Sequence, residues 1–357
     1  MQRQPTSIHL VVYNGAPWLG WCLESVARQT YQDFFLLIID NGSIDNSYTL
    51  AQEFLANNPT LSARARLVRN KQNIGFARGH NQAIAWTESD YVLILNQDVY
   101  LLPDYLKQLV KSLSNQERAG AVSGKILTWP FNGETFHASE LSKLPKNYFD
   151  SVGLAIKRSR RVVNMAQGEQ DTGQYRQSFR VFGVPGTVPL YRRPALQAVS
   201  LAGEIFDEDF VSYKEDVDLA WRLNLAGYES WLEPKAVAYH DRSLAHGRGL
   251  RQEYKKRKGR PHDLKVYSWV NHLAVLIKND GFINFWRDFP WIVTHELAKA
   301  CFLLVTDPIT IFKGKLRLLR LAPRFYKKRR ALKPTHKIKY RELRHWWSQA
   351  KVGGRQV

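Results

Sequence analysis

Polar side chains that could bind a nucleotide follow four apolar stretches in the first hundred residues. The residues at the ends of these stretches are Val12, Tyr13, Asn14, Asp40, Asn41, Asn73, Gly75, Phe76, Asn81, Asn96, Gln97 and Asp98. An aromatic ring can stack on a base, and a carboxylate can accept a hydrogen bond from an imide N–H. A second carboxylate can hold a hard cation against a diphosphate. Together these residue types favour a nucleoside-diphosphate site.

Each stretch taken alone also has an ordinary structural interpretation. The sequence Asp40–Ser43 is typical of a turn, and Asn73–Phe76 could open a helix. Asp98 is harder to explain structurally, because a carboxylate at the end of a buried strand costs free energy unless it has a partner. A dinucleotide dehydrogenase fits poorly, since Asn14–Pro17 lacks the Gly-x-Gly-x-x-Gly turn, and the chain has no Gly-Lys-Ser/Thr phosphate loop.

The elements that position these residues alternate between strand and helix. Apolar runs predict strands at Ser7–Tyr13, Phe34–Asp40, Ala65–Arg69, Tyr91–Asn96 and Ala119–Leu127. The predicted helices are Trp18–Gln29, Asp45–Asn57, Ala77–Thr87 and Asp104–Asn115. This alternation indicates an α/β fold with a mostly parallel, twisted sheet flanked by helices, in which ligands lie at the carboxyl ends of the strands.

The second half of the sheet domain has a less regular pattern than the first. Residues 128–180 lose the pattern and read as a long loop region or a small subdomain over the sheet. Strands are then predicted at Thr187–Tyr191 and at Ala236–Tyr239, the latter ending at His240. A helix predicted at Glu215–Ala226 lies between these two strands.

That helix carries a candidate reactive carboxylate. Asp216 falls in its first turn, where the helix dipole stabilises a negative charge. Asp218 and Arg222 are four residues apart and can pair on one face, which leaves Asp216 to face the cleft. Acidic residues also occur in the first turn of helices for structural reasons alone, so the residues by themselves support the structural and the catalytic interpretation of Asp216 equally.

Composition and charge narrow the class of protein. The 357 residues are 44% hydrophobic, which excludes a disordered chain, and the two cysteines fit a reducing compartment. The net charge is +20. Residues 313–357 hold 16 Lys or Arg with one acid, and residues 241–260 hold eight with two acids. The rest of the chain is therefore nearly balanced, and the positive charge lies on a loop and a tail.

Four motifs occur in the order and spacing of the family 2 glycosyltransferases. They are Val-Val-Tyr-Asn, Ile-Ile-Asp-Asn-Gly-Ser-x-Asp, Asn-x-Gly-Phe-Ala-x-Gly-x-Asn and Leu-Asn-Gln-Asp. Over about residues 7–240 the chain resembles the bacterial rhamnosyltransferase-like branch of that family. The resemblance implies a GT-A fold, inverting transfer from a nucleoside-diphosphate sugar, and a divalent cation, Mg²⁺ or Mn²⁺. It also implies a glycan or lipid-linked acceptor, with dTDP-rhamnose as the first donor to test.

The resemblance also assigns roles to single residues. Tyr13 and Asp40 would hold the base. The remaining donor-site residues would be Val12, Asn14, Asn41, Asn73, Gly75, Phe76, Asn81, Asn96 and Gln97. Asp98 would be the metal-binding end of the family's Asp-x-Asp signature, whose first position is Asn96 here, and His240 would be a second ligand of the metal or the phosphates.

The acceptor side is implied by the motif that begins at Glu215. Glu-Asp-x-Asp-Leu-x-x-Arg matches the family's acceptor-side motif, whose Asp is the general base. By this likeness Asp216 would be the base, with support from Glu215, Asp218 and Arg222. An inverting transfer needs one base opposite the leaving diphosphate.

The C-terminal region reads as a basic, amphipathic helical extension. We expect a glycosyltransferase domain at residues 1–263, with a nucleotide-sugar-binding half at 1–127 and an acceptor-side half at 128–263, and the extension at 264–357. The predicted apolar stripe is Ile309, Phe312, Leu316, Leu319 and Tyr326. The adjoining basic face is Lys313, Arg317, Arg320, Arg324 and Lys328.

Aromatic residues beside a basic stripe suit a helix that lies on an anionic membrane. The sequence therefore predicts a cytoplasmic protein held peripherally on the cytoplasmic face of the inner membrane. Packing of these helices on the catalytic body, or a homodimer, is the alternative. Pro323 threatens the continuity of the helix in this stretch, so two shorter helices are the alternative to one long one.

The sequence has two alternative functional interpretations besides a glycosyltransferase. A pI of 9.9 and the pair Trp346 and Trp347 in a basic tail would suit a nucleic-acid-binding protein. The positive charge lies on residues 241–260 and 313–357, apart from the residues of the candidate nucleotide site, so we expect no nucleic-acid partner. A non-catalytic scaffold of the same fold is the second rival, and the presence of both Asp98 and Asp216 argues against it.

Overall fold

A ten-stranded sheet forms the centre of the molecule. The computed structural model describes residues 5–129, 148–241 and 262–348, with the pairs 351–352 and 355–356. The strands are β1 Thr6–Val12, β2 Phe34–Asp40, β3 Ala65–Arg69, β4 Tyr91–Leu95, β5 Val99–Leu101, β6 Ala119–Thr128, β7 Phe149–Ser151, β8 Leu154–Ile156, β9 Val162–Asn164, β10 Phe179–Val181, β11 Leu190–Arg192, β12 Glu229–His240, β13 Lys351–Val352 and β14 Arg355–Gln356. The main sheet has the order β10-β12-β6-β11-β4-β1-β2-β3, with β5 beside β12 and β7 beside β6.

Helices cover the sheet and form the C-terminal region. They are α1 Ala16–Ala27, α2 Ser47–Ala56, α3 Pro59–Ser62, α4 Phe76–Ala85, α5 Tyr105–Ser114, α6 Arg193–Ala198, α7 Glu215–Leu225, α8 His262–Asn279, α9 Phe282–Arg287, α10 Phe289–Thr306, α11 Pro308–Leu332 and α12 His345–Ser348. Short 3₁₀ turns lie at Glu208–Phe210, Lys333–Thr335 and Tyr340–Arg344.

The first half of the sheet is parallel, as the alternation of elements predicts. Strands β4, β1, β2 and β3 are parallel neighbours, and the predicted element boundaries in this half lie within two residues of the observed ones. In the register, Val12 lies opposite Asp40, and Asp40 lies opposite Arg69. The carboxyl ends of these strands therefore meet at one edge. We call residues 12–14, 40–41, 73–81 and 96–98 the strand-end edge.

The second half departs from the simple alternation. Strand β11 runs antiparallel between β4 and β6, whereas β12 pairs parallel to β6. Strand β12 begins at Glu229, seven residues earlier than predicted, because a register shift between Glu233 and Val237 lets it continue past Pro234. Within the stretch expected to be a loop or subdomain, residues 148–180 form the short strands β7 to β10. The basic loop expected at 241–263 lies almost wholly outside the described residues.

The C-terminal helices pack on the second half of the sheet domain. Phe325 of α11 packs on Phe210, and the buried indoles of Trp346 and Trp347 pack on Phe182 and Trp221 respectively. The two indoles are therefore not available to stack on bases, which corrects the role given to them in the nucleic-acid hypothesis.

Helix α11 is continuous for 25 residues, so of the two alternatives the single helix is the one observed, with Pro323 inside it. Pro323 and Leu319, whose carbonyl the proline leaves without its usual helical partner, are both exposed, so water can serve that carbonyl. Among the described residues, none of the helices is long and apolar enough to cross a membrane.

Candidate functional site

Tyr13 and Asp40 lie side by side at the strand-end edge. The Tyr13 ring is 40% exposed, whereas Asp40 is buried. Arg69 Nε lies 3.1 Å from Asp40 Oδ2, and Ser43 N donates to the same oxygen at 3.3 Å. Asp40 Oδ1 is buried and has no hydrogen-bond partner among the described residues. An unsatisfied buried acceptor beside an exposed ring is suited to a base that offers an N–H.

The amide of Asn41 shapes the neighbouring loop. Its Nδ2 donates to Asn73 Oδ1 at 3.0 Å and to Gly75 O at 3.3 Å. Its Oδ1 accepts from Asn70 Nδ2 and from Ile74 N. Because all of these bonds are internal, Asn41 fixes the path of residues 73–75, and its predicted direct contact with the donor stays a prediction.

The start of helix α4 contacts a distant part of the chain. Gly75 has φ +85°, and a Cβ there would lie 3.0 Å from Val211 O. Phe76 N donates to the same carbonyl at 3.2 Å. The Asn81 amide accepts from Phe206 N at 2.9 Å and donates to Phe206 O at 2.8 Å. The strand-end edge is thus joined directly to residues 205–218, which we call the acidic segment.

Gln97 joins the ends of β1 and β4. Tyr13 N donates to Gln97 Oε1 at 2.8 Å, and Gln97 Nε2 donates to Tyr13 O at 3.1 Å. Asn14 Oδ1 accepts from Ile44 N at 3.0 Å, and Asn96 N donates to the Thr187 carbonyl. These contacts hold the backbone around Tyr13 and Asp98 in place.

A histidine between two carboxylates lies at the same edge. His240 Nε2 is 3.3 Å from Asp98 Oδ2, and its Nδ1 is 2.8 Å from Asp150 Oδ2. Burial alone would lower the pKa of His240, but the charges of Asp98 and Asp150 raise that pKa to about 9. Strands β5 and β12 create this arrangement, because they pair antiparallel with His240 opposite Val99.

Asp98 and His240 would suit a divalent cation that displaces the proton from His240 Nε2, because only a neutral imidazole is a metal ligand. Asp98 is partly exposed, and the His240 ring presents Nε2 toward it. Asp150 holds the other ring nitrogen, as carboxylates commonly do behind a metal-binding histidine. Asp150 was not predicted, because residues 128–180 show no periodicity from which to place it.

Asp216 lies at the start of α7 beside a glycine. Its Oδ2 accepts from Gly186 N at 3.1 Å, and its Oδ1 accepts from Val217 N at 2.8 Å. A Cβ at Gly186 would lie 3.4 Å from Asp216 Cβ, an ordinary van der Waals contact, so the two residues pack closely without requiring glycine. The carboxylate is half-buried and hydrogen-bonded to backbone N–H groups, so it stays open to a ligand on its other side.

The flanking acids have different surroundings. Asp218 is fully buried and is bonded by Arg222 Nε at 2.9 Å, by Lys278 Nζ and by Asn279 Nδ2 at 2.7 Å. Burial opposes ionisation, but the charges of Lys278 and Arg222 lower the pKa of Asp218 to about 2. For Glu215, burial and the charge of Asp216 raise the pKa to about 8.

Arg192 and Arg193, where β11 meets α6, make structural contacts. The Arg192 guanidinium donates to the carbonyls of Leu113, Gln116 and Ala119. Arg193 donates to Ile84, Thr87 and Ser89. Both side chains are therefore occupied in joining helices to the sheet.

Comparison with known proteins identifies the family. Residues 7–199 match the family described as Glycosyl transferase family 2, which is more than half of the chain. The chain belongs to this family. It is a glycosyltransferase with a GT-A-like fold, in which a curled central sheet is flanked by helices.

Two curated glycosyltransferases illustrate the range of its relatives. A poly-beta-1,6-N-acetyl-D-glucosamine synthase of Staphylococcus epidermidis is 26% identical over 67% of this chain and 50% of its own length. The chain thus spans about half of that synthase. An N-acetylglucosaminyl-diphospho-decaprenol L-rhamnosyltransferase of Mycobacterium tuberculosis is 28% identical over 67% of this chain and 76% of its own length.

Solved structures share the fold at low sequence identity. GalNAc-T7, solved with UDP, GalNAc and Mn²⁺, has a TM-score of 0.56 at 15% identity and covers 76% of this chain and 48% of its own. The mannosyltransferase PcManGT from Pyrobaculum calidifontis, solved with GDP-Man and Mn²⁺, has a TM-score of 0.51 at 16% identity over 98% of this chain and 89% of its own. At such identities the likeness shows the fold alone.

Proposed function

We propose that this glycosyltransferase moves a sugar from a nucleoside diphosphate to an acceptor hydroxyl with inversion, and that Asp216 is the general base. The observation that carries the proposal is the contrast between neighbouring acids. Asp218 is neutralised by Lys278 and Arg222, and Glu215 is buried with a raised pKa. Asp216 accepts backbone hydrogen bonds and keeps an open side.

The chemistry follows from that placement. Asp216 takes the proton of the acceptor hydroxyl as its oxygen bonds to the anomeric carbon, and the bond from that carbon to the diphosphate oxygen breaks on the opposite face. Attack opposite the leaving group inverts the anomeric configuration. The sugar and the proton are thus both accounted for by one displacement.

The donor would lie along the strand-end edge. Tyr13 would stack on the base, and the unpartnered Asp40 Oδ1 would accept an N–H from it. Asp98 and His240 would hold a divalent cation, oriented by Asp150. The cation would neutralise the leaving diphosphate, and the solved GT-A structures that contain Mn²⁺ support this. Mg²⁺ and Mn²⁺ are both candidates.

Replacement of the base tests the mechanism. We expect Asp216→Asn to lower turnover by roughly 10²–10⁴ while donor affinity stays close to that of the wild type. Donor affinity is measured by calorimetry with the nucleoside diphosphate, and turnover by release of that nucleotide. Turnover near the wild-type rate in this variant would contradict the mechanism.

For the sugar and acceptor, we propose transfer of rhamnose from dTDP-rhamnose to a lipid-linked glycan. The mycobacterial relative, which is a rhamnosyltransferase acting on a diphospho-decaprenol acceptor by its name, supports this. A panel of nucleotide sugars, scored by thermal shift with and without Mn²⁺, tests the donor. A ligand at 100 times its Kd adds about 2.7 kcal/mol of stability. A larger shift with a UDP-sugar than with dTDP-rhamnose would contradict the choice of donor.

We further propose that the C-terminal helices attach the enzyme to an anionic membrane. The predicted apolar stripe is exposed along α11, from 54% at Ile309 to 73% at Leu319. Large apolar side chains of α9 and α10 are exposed as well, namely Phe282, Ile283, Trp286, Trp291, Leu297, Leu304 and Val305. The exposed bases on α11 are Lys313, Lys315, Arg320, Arg324, Lys327 and Arg330. Apolar and basic groups exposed on one set of helices suit the membrane interface.

Part of the basic face of α11 contacts the acidic segment, so only the rest of that face is available to the proposed membrane. Arg317, Arg324 and Lys328 contact Asp207 and Asp209 of the acidic segment. Of the predicted basic stripe, Lys313 and Arg320 are the exposed residues without such a contact to that segment among the described residues. Membrane attachment therefore relies on them and on the neighbouring lysines.

A matched pair of variants tests attachment. We expect the triple variant Phe312→Ser, Leu316→Ser, Leu319→Ser to lose most of its sedimentation with phosphatidylglycerol vesicles, because it removes apolar area and leaves the charge unchanged. Ile44→Ser, at an 88% exposed residue of the sheet domain, is the control. Equal sedimentation of the triple variant and the wild type at low salt would contradict attachment through α11.

A further inference from the structure

The segment before the proposed base has an unusual backbone. Val211, Tyr213 and Lys214 have φ of +63°, +72° and +72°. These angles are in the left-handed region, which is costly for residues other than glycine, above all for a β-branched valine. Helix α7 begins immediately afterwards at Glu215, so this backbone fixes where Asp216 enters the site. Strain of this kind persists only when surrounding contacts hold it.

One buried side chain supplies several of those contacts. Asn271, in the middle of α8, is fully buried. Its Nδ2 lies within hydrogen-bond distance of three carbonyl oxygens of this backbone, at 2.8 Å from Phe210 O and 2.9 Å from both Ser212 O and Tyr213 O. The three carbonyls converge on one amide, which an ordinary loop does not require.

The opposite side of the same backbone contacts the strand-end edge. Val211 O accepts from Phe76 N, and Gly75 packs on that carbonyl. The backbone at 210–214 is therefore clamped between the start of α4 and Asn271. On one side, the Val211 carbonyl accepts a hydrogen bond from the strand-end edge, where the donor is proposed to bind. On the other side, three carbonyls of this backbone face the Asn271 amide of α8. A shift of Asn271 would move Asp216 relative to that edge.

We propose that Asn271 is a positioning residue for the transfer reaction, which sets the location of Asp216 by holding the left-handed backbone of residues 211–214. The inference rests on the proposed function, since it takes Asp216 to be the base. It assigns the C-terminal helix α8 a part in catalysis besides packing. Displacement of a reacting group by about 1 Å can cost 10²-fold in rate, so a small movement of this backbone matters.

Two variants and a matched control test the proposal. Asn271→Ala removes the amide, and Asn271→Ser keeps one short donor in case the alanine variant folds poorly. The control is Asn284→Ala, because Asn284 is also a buried amide of the C-terminal helices and donates to the Tyr340 carbonyl, away from the acidic segment. We expect the Asn271 variants to lose roughly 10- to 100-fold in kcat with unchanged KM for the donor. Asn284→Ala should lower Tm without changing kcat.

Hydrogen exchange of the amides of residues 211–216 provides a readout that does not depend on activity. In the Asn271 variants we expect faster exchange there, and in Asn284→Ala we expect wild-type exchange. Wild-type kcat and wild-type exchange in folded Asn271→Ser would overturn the positioning role, while an inactive Asp216→Asn leaves the proposed function standing. If Asp216→Asn is fully active, the proposed base is wrong, and the positioning role is overturned with it.

Discussion

The strand-end edge and the acidic segment are supported in different ways. The edge is held by a parallel sheet whose neighbouring strands end together, with local contacts such as that between Gln97 and Tyr13. The acidic segment relies on charges from distant helices, with Lys278 of α8 and Lys328 of α11 both contacting Asp207. One region is built by regular secondary structure, whereas the other is built by buried ion pairs that span much of the chain.

That difference predicts unequal sensitivity to the loss of a cation. Lys278 and its partners Asp207 and Asp218 are fully buried, so Lys278→Met leaves carboxylates without their full compensation. We expect a loss of about 3–5 kcal/mol in the free energy of unfolding, measured by urea denaturation. At the strand-end edge, Arg69→Met is the matched variant, and since Arg69 is 49% exposed while its partner Asp40 is buried we expect a smaller loss of about 1–3 kcal/mol. Equal losses in the two variants would contradict the comparison.

The same difference explains what the sequence could predict. Each element of the first half is a local pattern, so apolar runs and intervening helices located the edge from Val12 to Asp98. The antiparallel insertion of β11 and the full length of β12 depend on pairing between distant segments. An apolar pattern interrupted by Pro234 carries no sign of that pairing.

The side chains that support the acidic segment could not be predicted from the sequence for a related reason. Asn271, Lys278 and Asn279 lie in a stretch predicted only to be part of a helical extension, and polar residues of such a helix are ordinarily assigned to solvent. Arg317 and Lys328 were likewise assigned to an outer basic face. A sequence shows charge but not the partner of that charge, and both side chains contact the acidic segment.

Base recognition at the strand-end edge provides a second test. We expect Asp40→Ala to weaken binding of free nucleotide and of nucleotide sugar alike, by about 1.5–3 kcal/mol, because Asp40 Oδ1 would contact the base and not the sugar. Asp45→Ala is the control, since the oxygens of Asp45 are bonded to Ser47 and to Ala16 N. Calorimetry with dTDP and with a dTDP-sugar measures both. A loss confined to the sugar nucleotide would place Asp40 at the sugar instead.

The smallest expected effect concerns acid stability of the acidic segment. The pKa of Asp218 is about 2 in the folded protein, below its ordinary value of 3.8, because Lys278 and Arg222 outweigh the effect of burial. A carboxyl whose folded pKa is lowered contributes stability above its unfolded pKa and loses that contribution as pH falls toward the folded pKa. The window is therefore from about pH 4 down to about pH 2, and the contribution is roughly 2 kcal/mol, since one pKa unit corresponds to about 1.4 kcal/mol.

Comparison of the wild type with Asp218→Asn isolates this contribution from those of the other carboxyls. The asparagine cannot ionise, so we expect the wild type to be more stable at about pH 5 and the gap to narrow as the pH is lowered through the window. Urea denaturation at a series of pH values measures the gap. A gap that stays constant from about pH 5 to pH 2.5 would mean that Lys278 and Arg222 do not hold Asp218 ionised, and the contrast between a sheet-built edge and a charge-built segment would lose its electrostatic basis.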